Sequence, residues 1–250
     1  MTLKIVLALC FITSFSLAQV PLQPGVYPLM DIKTGSLTLL SGSTLHLTSL
    51  TIVATEIRPG QSLKIQTGRT EENLVFVLSE SLTISLKDST YVLGKGSVAM
   101  ILPSENYSLT NNGDKVCVYQ VMKYQSQNPI DAARGKAAGG SFIKDWNKLL
   151  FKPHERGGVR SYFDRPTALT KRFEMHVTSL NEGLTSHAPH THRAEEFILV
   201  LDGNVEMLIG EKSFKAKAGD VLFAPSNVLH GLKNDGKGMC SYFAFQWESF

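Results

Sequence analysis

The chain has 250 residues, 43% of them hydrophobic and 19% charged, with a net charge of +3. Those proportions exclude a disordered chain, and a small net charge without a Lys/Arg run excludes a nucleic-acid surface. The length suits one large core or two small ones.

At the N-terminus, Lys4 precedes an apolar run from Ile5 to Phe15, and Ser16-Leu17-Ala18 places small residues before a cut. This reads as a secretory signal peptide over residues 1–18, too short and wrongly flanked for a membrane anchor. The mature protein is then expected to start near Gln19, to be secreted or periplasmic, and to have no membrane association after cleavage. Cys117 and Cys240 remain, and they read as buried thiols rather than a bridge.

Residues 19–124 and 172–250 are related. At an offset of 123 the sequence matches itself without a gap from Thr55/Thr178 to Tyr124/Trp247. Gly60 falls on Gly183, Glu72 on Glu195, Gly96 on Gly219, Asn111 on Asn234 and Cys117 on Cys240. The two halves therefore read as one fold used twice. Between them, residues 125–171 form a linker, with a flexible Ala/Gly-rich stretch at Ala132 to Gly140 and a short helix at Lys144 to Phe151.

Strand signals dominate the second half. Phe197 to Leu201 is an apolar run that stops at Asp202-Gly203, a hairpin signal, and Val205 to Ile209 returns. Further short strands end at Ala224 and run from Tyr242 to Trp247. Regularly spaced short strands with turn chemistry between them indicate an all-β sandwich or barrel.

The chemistry concentrates between Gly183 and Glu196. On a strand, His190 and His192 point to one face with Cα atoms ~7 Å apart. That spacing suits two imidazoles on one ion at roughly 2.0–2.2 Å per bond. Glu196 has the same parity, whereas Glu195 faces away, and His230 follows the Pro225 turn. Three imidazoles and a carboxylate suit Mn, Fe, Co, Ni or Zn. At the same offset the first half has Thr67, Arg69, Asn73 and Tyr107, which do not make a divalent-metal site. Before the second half, Arg160 and Arg165 are candidates to hold a substrate carboxylate.

Gly183 to Gly203 resembles the first cupin motif, G-x5-H-x-H-x3/4-E-x6-G, with one extra residue before His190. Gly219 to Asn234 resembles the second, G-x5-P-x-G-x2-H-x3-N, with Asn227 in place of glycine. The resemblance implies two tandem jelly-roll β-barrels with a partly helical linker. It also implies one divalent metal, with manganese favoured, on His190, His192, Glu196 and His230. Dimers are common among cupins, so a homodimer is expected on the same ground.

Across residues 40 to 248, including Arg172 to Thr178 and Tyr242 to Trp247, the chain resembles the ureidoglycine aminohydrolase family. That family's ligand order is closer to Glu-x-His-x3-His with a distant Gln. The resemblance implies a metal-dependent hydrolase acting on a small polar carboxylate or amine substrate, with Glu174 and His176 as acid or base. The alternatives are a Mn/Fe cupin oxidase, dioxygenase or isomerase, and a small-ligand or sugar-binding cupin without turnover.

Overall fold

The computed structural model describes residues 19–33 and 35–249, so the signal segment 1–18 lies outside the described residues. The first half contributes β1 (Gly25–Tyr27), β2 (Ser36–Gly42), β3 (Leu47–Ile57), β4 (Ser62–Gln66) and β5 (Glu72–Val77). It continues with β6 (Ser81–Leu86), β7 (Ser89–Gly94), β8 (Val98–Ile101), β9 (Asn106–Thr110) and β10 (Cys117–Ser126). Helix α1 (Ala132–Ala137), β11 (Phe142–Lys144), β12 (Lys152–His154) and β13 (Gly157–Arg165) follow. The second half is β14 (Arg172–Leu180), β15 (Glu195–Asp202), β16 (Asn204–Ile209), β17 (Lys212–Lys217), β18 (Val221–Ala224), β19 (His230–Asn234) and β20 (Cys240–Glu248).

Each half is a jelly-roll barrel made of one large antiparallel sheet and one small one. The first pairs the order β11-β8-β5-β10-β3-β2 with β4-β9-β6-β7. The second pairs β1-β18-β15-β20-β14-β13-β12 with β17-β16-β19. The architecture is all-β and tandem, as the repeat implies.

The large sheets pack face to face, and the period-2 alternation of side chains explains how. One set of alternate residues on β14, β15 and β20 (Phe173, Met175, Phe197, Phe243, Phe245, Trp247) meets Leu50, Ile52, Phe76 and Tyr124 of the other barrel. Phe76 and Phe243 lie 5.2 Å apart, edge to face. The opposite set, including Ile198, Val200, Tyr242 and Ala244, fills the interior of the second barrel. Cys117 and Cys240 are both free and buried in their own barrel interiors, at equivalent places.

Two reciprocal exchanges lock the barrels together. Strand β1 adds to the edge of β18 in the second barrel, and β11 adds to β8 in the first. The carboxylate of Glu195 accepts from the Thr44 hydroxyl and from the backbone N–H groups of Leu45 and His46. At the repeat-equivalent place Glu72 accepts from the Ala168 N–H at 2.8 Å and from the Tyr124 hydroxyl. Residues 44–46 and 167–169 are themselves one repeat apart, so each barrel binds the other's matching loop. Glu195→Ala removes the acceptor of one buried N–H, one part-buried N–H and a hydroxyl, and is expected to cost roughly 2 kcal/mol in a denaturant melt. Glu195→Gln keeps an acceptor and is expected to cost less; equal melts for wild type and Glu195→Ala would remove this lock from the account.

The linker differs from the expectation. Residues 152–165 are not a spacer, since β13 pairs with β14 along its length and occupies the place of β2 in the first barrel. Ala132 to Ala137 is helical, with Asp131 capping the Arg134 N–H. Its Gly135 approaches the chain at Ala168 so closely that a Cβ would sit 2.8 Å from the Ala168 Cβ. The helix expected over Lys144 to Phe151 is only a 3-10 turn at Trp146–Lys148. Phe142 and Ile143 are drawn instead to the open edge of β8, where strand bonds satisfy the backbone.

Candidate metal centre

The floor of the second barrel is built from rungs across three neighbouring strands. Glu174, Gln246 and Glu196 share one rung; His176, Ala244 and Ile198 share another; Thr178, Tyr242 and Val200 a third. Period 2 places all three rungs on the interior face. Polar residues thereby enter an otherwise apolar barrel at specified depths.

His190 and His192 lie in an extended loop rather than on the strand that spacing suggests. Pro189 lacks an N–H and cannot complete a ladder there. Two isolated bridges hold the loop, Thr185 to Lys233 and His190 to His230. The His190 and His230 backbones exchange hydrogen bonds at 3.0 Å, and the Asn227 N–H donates to the His192 carbonyl at 2.8 Å. Asn227 takes φ 58° and its repeat mate Ser104 φ 63°, so this turn is left-handed in both barrels. Asn tolerates that conformation better than most residues, which explains how it replaces glycine.

His190, His192 and His230 converge, with one nitrogen from each within 4.8 Å of the others. The Nε2 atoms of His192 and His230 are 3.2 Å apart. Glu196 Oε2 lies 3.1 Å from His192 Nε2 and 3.6 Å from His230 Nε2. His192 Nδ1 pairs with the Ala194 carbonyl at 2.9 Å, and His230 Nδ1 with the Val228 carbonyl at 2.8 Å. Those carbonyls fix the Nδ1–H tautomers and turn both Nε2 lone pairs inward. Two facing lone pairs need a proton or a cation between them. His190 Nδ1 is buried without a hydrogen-bond partner, which a bound ligand would satisfy. Donor type, convergence and tautomer all fit a divalent ion.

The surrounding cavity has a volume of about 180 Å³ and is walled by Ile198, Met207, Leu232 and Ala244. His176 lines it beside the cluster. Behind it, Glu174 Oε1 bonds His176 Nδ1 at 2.8 Å, and the Gln246 Nε2 donates to Glu174 Oε2 at 3.1 Å. Sequence reasoning named Glu174 and His176 but missed Gln246. The repeat held the signal, since the equivalents of Glu174, His176 and Gln246 are Thr51, Val53 and Lys123. By contrast Thr178 and Tyr242 recur as Thr55 and Tyr119, which marks them as part of the shared scaffold.

Arg160 and Arg165 do not line this cavity. The Arg160 guanidinium stacks 4.0 Å over the Trp146 ring and 4.7 Å over Phe151. Arg165 donates to the carbonyls of Ala138 and Gly140 and covers the Phe142 ring. Both bind the linker to the second barrel, Arg160 by stacking on aromatic rings and Arg165 by stacking and carbonyl contacts. In the first barrel, Asn73 and Tyr107 stand where Glu196 and His230 stand, and they hydrogen-bond each other at 3.1 Å.

Burial pushes the Glu196 carboxyl upward, but hydrogen bonds and charge from His192 and His230 outweigh it and hold it at about 2. Burial pushes His176 and His230 down, yet Glu174 and Glu196 respectively outweigh it and leave both above 6.5. For the metal-free protein, the His176 and His230 contributions to stability are then complete below pH 6.5 and fade as pH rises through the raised values, whereas His190, held below 6.5 by burial, contributes in the opposite sense and is complete above 6.5. The Glu196 contribution is complete above 4.5 and fades as pH falls toward about 2. Metal ligation needs neutral imidazoles, so it reverses the upper limb. Thermal melts between about pH 6 and 8.5 are expected to fall with pH in chelator and rise in MnCl2. Parallel slopes would exclude ligation by these histidines.

Comparison with known proteins agrees with the fold. The chain is 29% identical over 150 residues, 60% of its length, to the xanthan biosynthesis protein XanB of Xanthomonas campestris pv. campestris. The match spans only 30% of the length of that relative. The structure is similar to protein Ylba of E. coli, with a TM-score of 0.68, 14% identity, and coverage of 94% of this chain and 96% of that one. It is similar as well to the oxalate decarboxylase of Lactobacillus farciminis in a formate complex, with a TM-score of 0.67 and 15% identity. That alignment covers 92% of this chain and 87% of the decarboxylase. Residues 176–245, which hold most of the histidine cluster's barrel and the rungs beneath it, match the Cupin domain family.

Proposed function

We propose that the protein is an exported metal-dependent enzyme, a hydrolase of aminohydrolase type acting on a small polar carboxylate or amine substrate. One observation carries this reading: a half-buried Gln246–Glu174–His176 chain ends in the same cavity as the three-histidine cluster. His190, His192 and His230 would hold the ion, with Glu196 beside them, and manganese is the ion favoured. When bound, a divalent ion supplies Lewis acidity and a template for the substrate.

The chain's own residues do the proton work. Glu174 keeps the proton of His176 on Nδ1 and leaves Nε2 toward the cavity, where it can accept or return a proton. Gln246 fixes Glu174 from the other side. The apolar walls limit bulk water, which strengthens each polar contact inside.

A second reading, binding of a sugar-type ligand without turnover, draws on the likeness to a xanthan biosynthesis protein.

Metal analysis of purified protein, followed by ammonia release from ureidoglycine-type substrates, tests the main reading. Stoichiometric metal with released ammonia is the expected result; oxygen consumption or CO2 release from oxalate without ammonia would replace hydrolysis by oxidative or decarboxylating chemistry. N-terminal sequencing of the exported protein is expected to begin near Gln19.

A further inference from the structure

The first barrel and the linker form a groove between them that the metal reading does not use. Its volume is about 530 Å³, within the range of about 300–1,000 Å³ usual for small-molecule sites. The turn from Leu102 to Glu105 makes one side, and Ile130, Ala132 and Ala168 make the other.

The charges of the groove are unequal. Arg69, Lys87 and Lys136 line it against one carboxylate, Glu105. Lys87 Nζ lies 3.3 Å from Glu105 Oε1. Arg69 and Lys136 make no hydrogen bond or ion pair among the described residues. Two further guanidiniums back the linker side, where Arg134 donates to the Ala168 carbonyl at 3.0 Å and Arg165 to the Gly140 carbonyl at 2.6 Å. Their counter-charges are Asp131, 3.8 Å from Arg134, and the buried Glu72, which accepts from the Ala168 N–H. Glu71 and Asp88, close in sequence to Arg69 and Lys87, do not line the groove. Two cations are therefore left to meet an anionic group. Glu105 adds a second demand, because its Oε2 is buried without a hydrogen-bond partner. A hydroxyl or amine donor satisfies such an oxygen.

The repeat offset sets this cluster apart as well. Arg69, Lys87 and Glu105 fall on His192, Gly210 and Val228. Gly210 and Val228 are neighbours in the second barrel, where a Cβ on Gly210 would lie 3.9 Å from Val228 Cγ1. The shared scaffold carries the lysine–glutamate pair at these places in the first barrel alone.

We propose that this groove is a second ligand site, separate from the histidine cluster, for a small hydroxylated organic anion of the acidic-sugar class. Arg69 and Lys136 hold its carboxylate or phosphate, Glu105 accepts from a hydroxyl, and Leu102, Pro103 and Ile130 cover its body.

Glucuronate, glucose 6-phosphate, glucose and inorganic phosphate are titrated calorimetrically into the His190→Ala/His192→Ala variant at about pH 7 and low salt. That background removes the histidine cluster as a competing site. Glucuronate, glucose 6-phosphate or both are expected to bind at least about tenfold tighter than glucose and than phosphate, and the stronger of the two identifies the anionic group. Adding Arg69→Ala and Lys136→Ala is expected to weaken that binding at least about tenfold, with circular dichroism as the folding check. High salt is expected to weaken it too without any substitution. Binding of neither acidic sugar, equally tight glucose, equally tight phosphate, or affinity unchanged in the folded Arg69→Ala/Lys136→Ala protein overturns the inference. The metal reading is untouched by each of these results.

Discussion

Replacing His190 and His192 together with alanine is expected to abolish stoichiometric divalent-metal binding and leave the barrels folded. The variant removes two of the three converging imidazoles. Loss of an outer partner alone commonly costs 10–100-fold in metal affinity, so loss of two direct ligands is expected to cost ~1000-fold or more. The fold is expected to survive because both side chains come from a loop that the backbone already holds. The bridge between His190 and His230 and the bond from Asn227 to the His192 carbonyl use main-chain atoms that alanine retains. Elemental analysis and calorimetric titration of the variant, with circular dichroism as the folding check, measure this. Metal retained at one per chain in a folded double variant would mean that the ion sits elsewhere.

The second large effect concerns turnover rather than binding. His176→Gln is expected to lower kcat by roughly 10²–10⁴-fold, the usual weight of a positioned acid or base, at unchanged metal content. Glu174→Gln is expected to fall between wild type and His176→Gln. It keeps a group of the same shape behind the imidazole but loses the charge that holds His176 above its ordinary range. The acidic limb of its pH–rate profile should accordingly move to lower pH. Wild-type kcat in His176→Gln would reduce the Gln246–Glu174–His176 chain to a structural rung of the sheet.

Most of the second barrel is legible in the sequence because its information is local. Asp202-Gly203 ends one strand and starts the next, and β15 and β16 flank it as the alternation implies. The left-handed turn at Asn227 is visible in the residue type itself. The offset comparison goes further, since it relates residues far apart in the chain and singles out the ligand set by its absence from the first half.

Arg160 and Arg165 show where that reasoning stops. Their place beside the metal-bearing segment suggests a substrate clamp, but whether a guanidinium meets a ligand or an aromatic ring depends on what packs against it. Trp146, Phe151 and Phe142 take them up. Nothing in the spacing of these residues contains that outcome. Gln246 was missed for a related reason: it lies at the same rung as Glu174 and Glu196 only after three strands, separated in sequence, pair in register.

The sequence by itself determined the repeat, the β character of both halves, and the candidate set of three histidines and a carboxylate, because residue type, turn chemistry and repeat offset are written along the chain. Tertiary structure alone decided three other things. It put β1 and β11 on the opposite barrel, set each glutamate of the Glu72/Glu195 pair against the other barrel's loop, and built an interior in which Gln246 and Glu174 stand behind His176. Each of these is a contact between segments distant along the chain. Such contacts depend on which surfaces remain to be buried once the local strands have formed.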